Sequence, residues 1–303
     1  MKKTAMTALC LLLALLAGCP SAVAISFTDA AGRAVTVDAP ESVVALFGSY
    51  GELWQLAGGT LVATTQDILE RRPDPSLVNV GSYTDPSMEI VFSLEPDLVL
   101  LSQKTAAHTQ IGEVLDEAGI PCAFFEVMTW ADYMDVLDVM TQITGRRDLY
   151  GAQREAVALP IGAMIESARA LPGYGNRTAL LLRASSTKVH AKNSTDTVAG
   201  PILKDMGFVN LADGDSPLSE NLSMEVILTA DPDWIFVTTQ GLDGEAALET
   251  VRATLTDNPA WASLSAVQNG RYVPLDPMLF HYRPNERWAE AYRVILELID
   301  EAE

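Results

Sequence analysis

Short apolar runs rich in β-branched residues alternate along the chain with stretches whose apolar positions recur every three to four residues. The first kind reads as buried strands and the second as helices packed on them. The pattern predicts strands at 42–47, 61–65, 97–101 and 121–127, and helices at 50–57, 88–94, 110–118 and 132–144. A stretch at 147–171 follows, with no strand signal and good helix formers, closed by Pro172-Gly173. The alternation resumes at 178–182, 198–206, 224–230, 234–238, 246–255, 271–275 and 286–299. Such spacing gives parallel sheets with right-handed crossovers, so the expected fold is α/β, two lobes joined by a long helix. Pro160 falls inside that helix, where it removes a backbone hydrogen bond and crowds the preceding turn. It predicts a kink or a break there.

The first residues stand apart. Lys2 and Lys3 precede an apolar run, 8–17, that is shorter than the roughly 20 residues a bilayer requires and suits a secretory leader. Leu16-Ala17-Gly18-Cys19 resembles a bacterial lipobox, which places a lipid on Cys19 after cleavage. The alternative is ordinary cleavage after Ala22-Val23-Ala24, giving a soluble periplasmic or secreted protein. We favour the lipobox, and the expected layout is a leader at 1–18, a tether and N-terminal strand segment at 19–41, a first lobe at 42–146, the connecting helix at 147–172 and a second lobe at 173–303.

Charge narrows the function. The chain carries 20 Lys and Arg against 40 Asp and Glu, a formal charge of −20. That argues against a nucleic-acid binder, which needs cations to neutralise phosphates, and against attachment to anionic lipid through a basic face. With Cys10 removed in the leader and Cys19 taken by the lipid, only Cys122 is left over, so no internal disulfide is available and stability rests on the core. Cys122 lies in an apolar run and reads as a small buried hydrophobe.

The most informative feature is a repeat. Residues 87–101 read SMEIVFSLEPDLVLL and residues 223–237 read SMEVILTADPDWIFV, an offset of 136. Each copy predicts a short helix, a Pro-Asp turn and a buried strand. Glu89 and Glu225 fall in the first turns of the two helices, where the helix dipole and unpaired N–H groups favour a carboxylate.

These segments, with FTDAAGRAVTVDAPESVVAL, NVGSYTDPSMEIVFSLEPDLVLL and the tail FHYRPNERWAEAY, resemble the substrate-binding proteins of ABC importers for ferric siderophores, haem and cobalamin. The resemblance spans nearly the whole chain after the leader. It implies two Rossmann-like lobes joined by a rigid helix, a ligand cleft between them, and a monomeric carrier with no resident cofactor. It also implies that Glu89 and Glu225 dock into arginine pockets on the two subunits of an ABC permease dimer. Two carboxylates meeting a two-fold partner give bivalent, charge-assisted binding.

In such an architecture the cleft is built from loops at the carboxyl ends of strands. Those loops carry Tyr50, Tyr83 and Trp130 in the first lobe and Arg183, His281, Tyr282 and Arg283 in the second. Aromatic and cationic side chains suit a bulky anionic iron chelate, since arginine bonds carboxylate or catecholate oxygen bidentately. Haem is the second expectation, with His281 or Tyr282 as axial ligand and Met128 or Met278 opposite; cobalamin is a further alternative. Bare Zn or Mn does not fit the widely spaced His108, His190 and His281.

A secreted α/β enzyme is the competing class. Gly173-Tyr174-Gly175 precedes a strand rather than following one, and Gly48-Ser49-Tyr50-Gly51 misses the nucleophile-elbow spacing. No catalytic dyad or triad follows from the spacing.

Overall fold

The computed structural model describes residues 24–241 and 243–302. The leader and Cys19 lie outside them. The tether segment holds two strands, β1 (Ile25–Thr28) and β2 (Ala34–Val37), paired as an antiparallel hairpin. Asp29 closes the turn: its carboxylate accepts from the N–H groups of Ala31 and Arg33 and from Phe124 at the sheet edge, and pairs with Arg33 Nε at 3.0 Å. The Arg33 guanidinium lies 4.6 Å from the centre of the Phe124 ring, so this hairpin is fastened to the first lobe.

The first sheet takes β3 (Val43–Ala45), β4 (Ala63–Thr64), β5 (Val78–Asn79), β8 (Leu98–Ser102) and β9 (Cys122–Phe125) in the order β5-β4-β3-β8-β9, all parallel. A separate small hairpin, β6 (Gly81–Ser82) and β7 (Asp85–Pro86), rises beside it with Gly81 opposite Pro86. The second sheet is built on β10 (Arg177–Ala184), flanked on one side by β13 (Trp234–Thr239) and then β14 (Tyr272–Pro274), all parallel. Against its other edge lie β12 (Phe208–Asn210), parallel at its start, and β11 (Val189–Ala191), antiparallel at its end. The antiparallel strand departs from the expected all-parallel sheet. A four-residue turn, in which Ser185 Oγ accepts from Lys188 N–H at 3.2 Å, is too short to carry a crossover to a parallel position.

The repeat is written into the register. Val43 pairs with Leu98 in the first sheet and Ala179 with Trp234 in the second, both partners displaced by the same 136 positions. The two Pro-Asp aspartates do the same task. Asp97 Oδ2 accepts from the N–H groups of Glu41 and Ser42 at 2.9 Å each, and Asp233 Oδ2 accepts from Thr178 N–H at 2.8 Å and from its hydroxyl at 2.7 Å. Each carboxylate clips the start of the neighbouring central strand.

Helix runs without interruption from Arg147 to Ala170, but Arg154–Ala158 form a π-helical turn just before Pro160. Proline has no N–H to give to the carbonyl four residues back, and widening the preceding turn accommodates it without ending the helix. Val157, Ile161 and Ala168 of this helix join one continuous core with Val43, Leu98 and Leu100 of the first sheet, Ala179 and Leu181 of the second, and Trp288, Tyr292 and Ile295 of the last helix, Trp288–Ala302. Strand alternation sends Val44 and Val99 to a separate core on the outer face of the first sheet, and Leu180 and Ile235 to one on the outer face of the second. Cys122 is buried and free, and burial pushes its thiol pKa up.

Candidate ligand cleft

The carboxyl ends of the strands of both sheets converge on two adjoining cavities of about 260 and 300 Å³ that share Asp67, Tyr83, Gln240, His281 and Tyr282. Each wall has a local cause. Gly48 follows β3 where the next helix, Gln66–Arg71, approaches so closely that a Cβ on it would lie 1.7 Å from Ile68 Cγ1. That approach carries Asp67 and Arg71 into the cleft. Tyr83 sits at the tip of the β6–β7 hairpin and packs edge-on against Phe47, centroids 6.0 Å apart. Lys104 lines the wall after β8, and Gln240, 136 positions later, lines it after β13. The segment 281–283 follows a short helix, Pro277–Phe280, and crosses towards the first lobe, where Arg283 Nε donates to Val127 O at 3.1 Å.

The cleft is strongly cationic. Arg71 pairs with Asp67 at 3.3 Å and stacks its guanidinium 4.1 Å from the centre of the Tyr282 ring. Arg283 lies over Phe47 at 4.9 Å. Lys104 pairs with Glu126 at 3.0 Å. Arg183 makes no hydrogen bond or ion pair with its side chain among the described residues, and burial pushes its pKa down. Lys192 is also pushed down, first by burial and then by Arg183. His281 sits among these groups with its pKa pushed down to about 4, by burial and then by Arg183, Arg283 and Arg71. At neutral pH it is an uncharged donor and acceptor held between three arginines. Its ring meets that of Tyr282 edge-on at 4.9 Å, and burial raises the Tyr282 phenol.

Five of the seven sequence-derived ligand residues therefore meet here: Tyr83, Arg183, His281, Tyr282 and Arg283. Two do not. Tyr50 is fully buried in the first-lobe core against Phe47 and Phe125, with centroids at 4.8 and 6.0 Å, because it lies one turn inside a helix whose inner face packs on the sheet. Trp130 opens the helix Trp130–Ile143 and packs against the central core instead of lining either cavity. Arg71 was not anticipated. Its signal was an Asp-x-x-x-Arg pair, Asp67 and Arg71, on a helix starting at a strand's carboxyl end. Among the described residues no group of three or more His, Cys, Asp or Glu converges as a metal site.

On the outer surface, Glu89 and Glu225 are both exposed and occupy the same position in the helices Met88–Ser93 and Met224–Ala230. Ser87 Oγ accepts from Ile90 N–H and Ser223 Oγ from Val226 N–H, each at 3.4 Å. The two caps are the same motif used twice. Among the described residues no helix is long and apolar enough to cross a membrane.

Comparison with known proteins gives a consistent picture. Residues 43–279 match the family described as periplasmic binding protein. The chain is 26% identical over 256 residues to the Fe(3+)-citrate-binding protein YfmC of Bacillus subtilis (strain 168), covering 82% of this chain and 77% of that one. The fold is similar to the crystal structure of Staphylococcus aureus SirA complexed with staphyloferrin B, with a TM-score of 0.65 at 21% identity over 91% of this chain and 96% of that one. It is also similar to the periplasmic heme-binding protein RhuT from Roseiflexus sp. RS-1, with a TM-score of 0.69 at 21% identity over 86% of this chain and 98% of that one.

Proposed function

Because the chain belongs to the periplasmic binding protein family, we propose that it is an extracytoplasmic lipoprotein that carries a ferric siderophore or related iron chelate to an ABC importer. In this reading a lipid on Cys19 holds it at the membrane, Glu89 and Glu225 engage the two permease subunits, and the protein transports its ligand without transforming it. The observation that carries the ligand class is Arg183: a partly buried guanidinium with no hydrogen bond or ion pair among the described residues, beside Arg71 and Arg283, leaves cationic charge that a multiply anionic chelate neutralises. Tyr83, Tyr282 and Phe47 supply apolar surface for the organic shell. The iron-citrate relative and the staphyloferrin-bound neighbour support the same class.

Calorimetry with ferric citrate, a ferric catecholate siderophore, a ferric hydroxamate of no net charge, haemin and cobalamin tests this reading. Tryptophan fluorescence is the poorer probe, since neither Trp54 nor Trp130 lines the cleft. The anionic chelates should bind and the uncharged hydroxamate should not; tight binding of the hydroxamate or of cobalamin alone would remove the charge argument. Haem is the second reading, favoured by one observation: His281 is held neutral, with a lone pair available to iron, beside the Tyr282 phenol. A shifted Soret band that disappears in His281→Ala would select it.

A further inference from the structure

His108 is wholly buried on the helix Ala106–Glu117, which starts just after β8. Its Nδ1 accepts from the backbone N–H of Ser102 at 2.8 Å, and its Nε2 lies 2.8 Å from the carbonyl oxygen of Tyr83. The Ser102 N–H can only donate, so the lone pair is on Nδ1 and the proton is on Nε2, donating to Tyr83. One neutral imidazole thus joins the end of β8 to the tip of the β6–β7 hairpin, and both Ser102 and Tyr83 line the cleft. Besides this imidazole, the tip is held by the edge-on packing of Tyr83 on Phe47 and by Ser82 Oγ accepting from Thr84 N–H at 3.3 Å, within the tip itself. The hairpin's strands are two residues long, and a pair so short is marginal in water without outside support.

We propose that His108 is a positioning residue for the cleft: through Ser102 N–H and the Tyr83 carbonyl it sets where the Tyr83 wall stands, and so the width of the opening that faces Arg183. This rests on reading the cleft as the ligand site. The same geometry makes the anchor sensitive to protons. Protonation places a second N–H at Nδ1, directly against the Ser102 N–H, so the imidazolium cannot keep both bonds. Both hydrogen-bond partners of the ring are backbone groups, and burial is the main cause lowering its pKa, with no charged side chain among the causes. A depressed folded-state pKa means the unfolded chain binds the proton more readily as pH falls below about 6.5, so the anchor is intact at neutral pH and weakens in acid.

Hydrogen exchange read as protection factors over residues 81–85, in ligand-free protein, tests the anchor directly. His108→Phe should lower protection there by about fivefold or more, the worth of one buried hydrogen bond, while leaving the β1–β2 hairpin and the second sheet unchanged. His108→Gln, which keeps a donor towards Tyr83, should restore part of it, and wild-type protection of the same residues should fall between pH 7 and pH 5. Ferric citrate affinity should drop in His108→Phe but not when the same change is made in a Tyr83→Ala background. Unchanged protection at 81–85, an equal loss across the whole first lobe, or the same affinity loss with and without Tyr83 would each overturn the proposal. If His108→Phe does not fold, His108→Gln and the wild-type pH series decide. If ferric citrate does not bind the wild type, the ligand reading falls while the exchange data still judge His108.

Discussion

At the scale of single residues, the cleft holds charge that the fold does not use. Arg183 is partly buried and makes no side-chain hydrogen bond or ion pair among the described residues, with Asp196 and Tyr83 only as longer-range electrostatic neighbours, so its removal should cost the fold little and cost the ligand a charge-assisted contact. Arg183→Gln is expected to leave thermal stability unchanged or raised, and to weaken ferric citrate binding about tenfold or more by calorimetry. His281 behaves in the opposite sense to an ordinary surface histidine. Its pKa of about 4 in the free protein lies below the unfolded value near 6.5, so the unfolded chain takes up a proton first and the free protein loses stability as pH falls through that window. An anion bound among the arginines should raise that pKa and draw a proton in. Affinity for ferric citrate is therefore expected to increase from pH 7 to pH 5 relative to His281→Gln, with proton uptake visible as a buffer-dependent heat. The residues at 281–283 were singled out as a cationic and aromatic triplet a few residues after a strand; the structure brings them to the cleft, by way of the intervening helix Pro277–Phe280. Tyr50 was misread because nearness to a strand's carboxyl end in the sequence does not fix depth: on the helix Gly48–Leu56 its ring lies beneath Phe47 and against Phe125, inside the core, while Phe47 itself reaches the cleft wall.

At the scale of elements, the sequence repeat predicted two equivalent helix–turn–strand units, and the structure adds what the Pro-Asp turns are for. Asp97 holds the two residues just before β3 and Asp233 holds Thr178 at the start of β10, each accepting two hydrogen bonds, so Asp97→Ala and Asp233→Ala should destabilise by similar amounts, about 1–3 kcal/mol each in urea denaturation. A large difference between them would show that the two clips are equivalent only in outline. Long apolar strands and amphipathic helices were readable from their periods. The two-residue strands, the β6–β7 hairpin and the antiparallel β11 were not, because runs of two or three residues are too short for any period to emerge and their pairing is set by neighbouring turns. The π-turn before Pro160 belongs to the same class: proline announces a fault in the ladder without saying how the backbone absorbs it.

At the scale of the whole molecule, both sheets and the connecting helix contribute to one core, which fixes the lobes relative to each other. Glu89 and Glu225, on matching helices of the two lobes, are then held at a set separation, as two-point docking to a two-fold partner requires. Glu89→Lys with Glu225→Lys should abolish uptake while leaving ligand affinity within about twofold, and either change alone should leave partial transport, because one contact survives. Unaltered transport by the double variant would dismiss the docking role.

The last helix has a consequence for how the protein comes into being. Trp288, Tyr292 and Ile295 complete a core that also holds Val43 and Leu98, far earlier in the chain, and Asn285 reaches back to donate to the Ser49 carbonyl at 3.1 Å. The inner core of the first lobe is therefore completed only once the helix Trp288–Ala302 has docked, whereas the outer-face core around Val44 and Val99 is built from first-lobe residues alone. Truncation after residue 284 should accordingly unfold both lobes together, in one cooperative transition seen by circular dichroism, and leave no folded amino-terminal half behind.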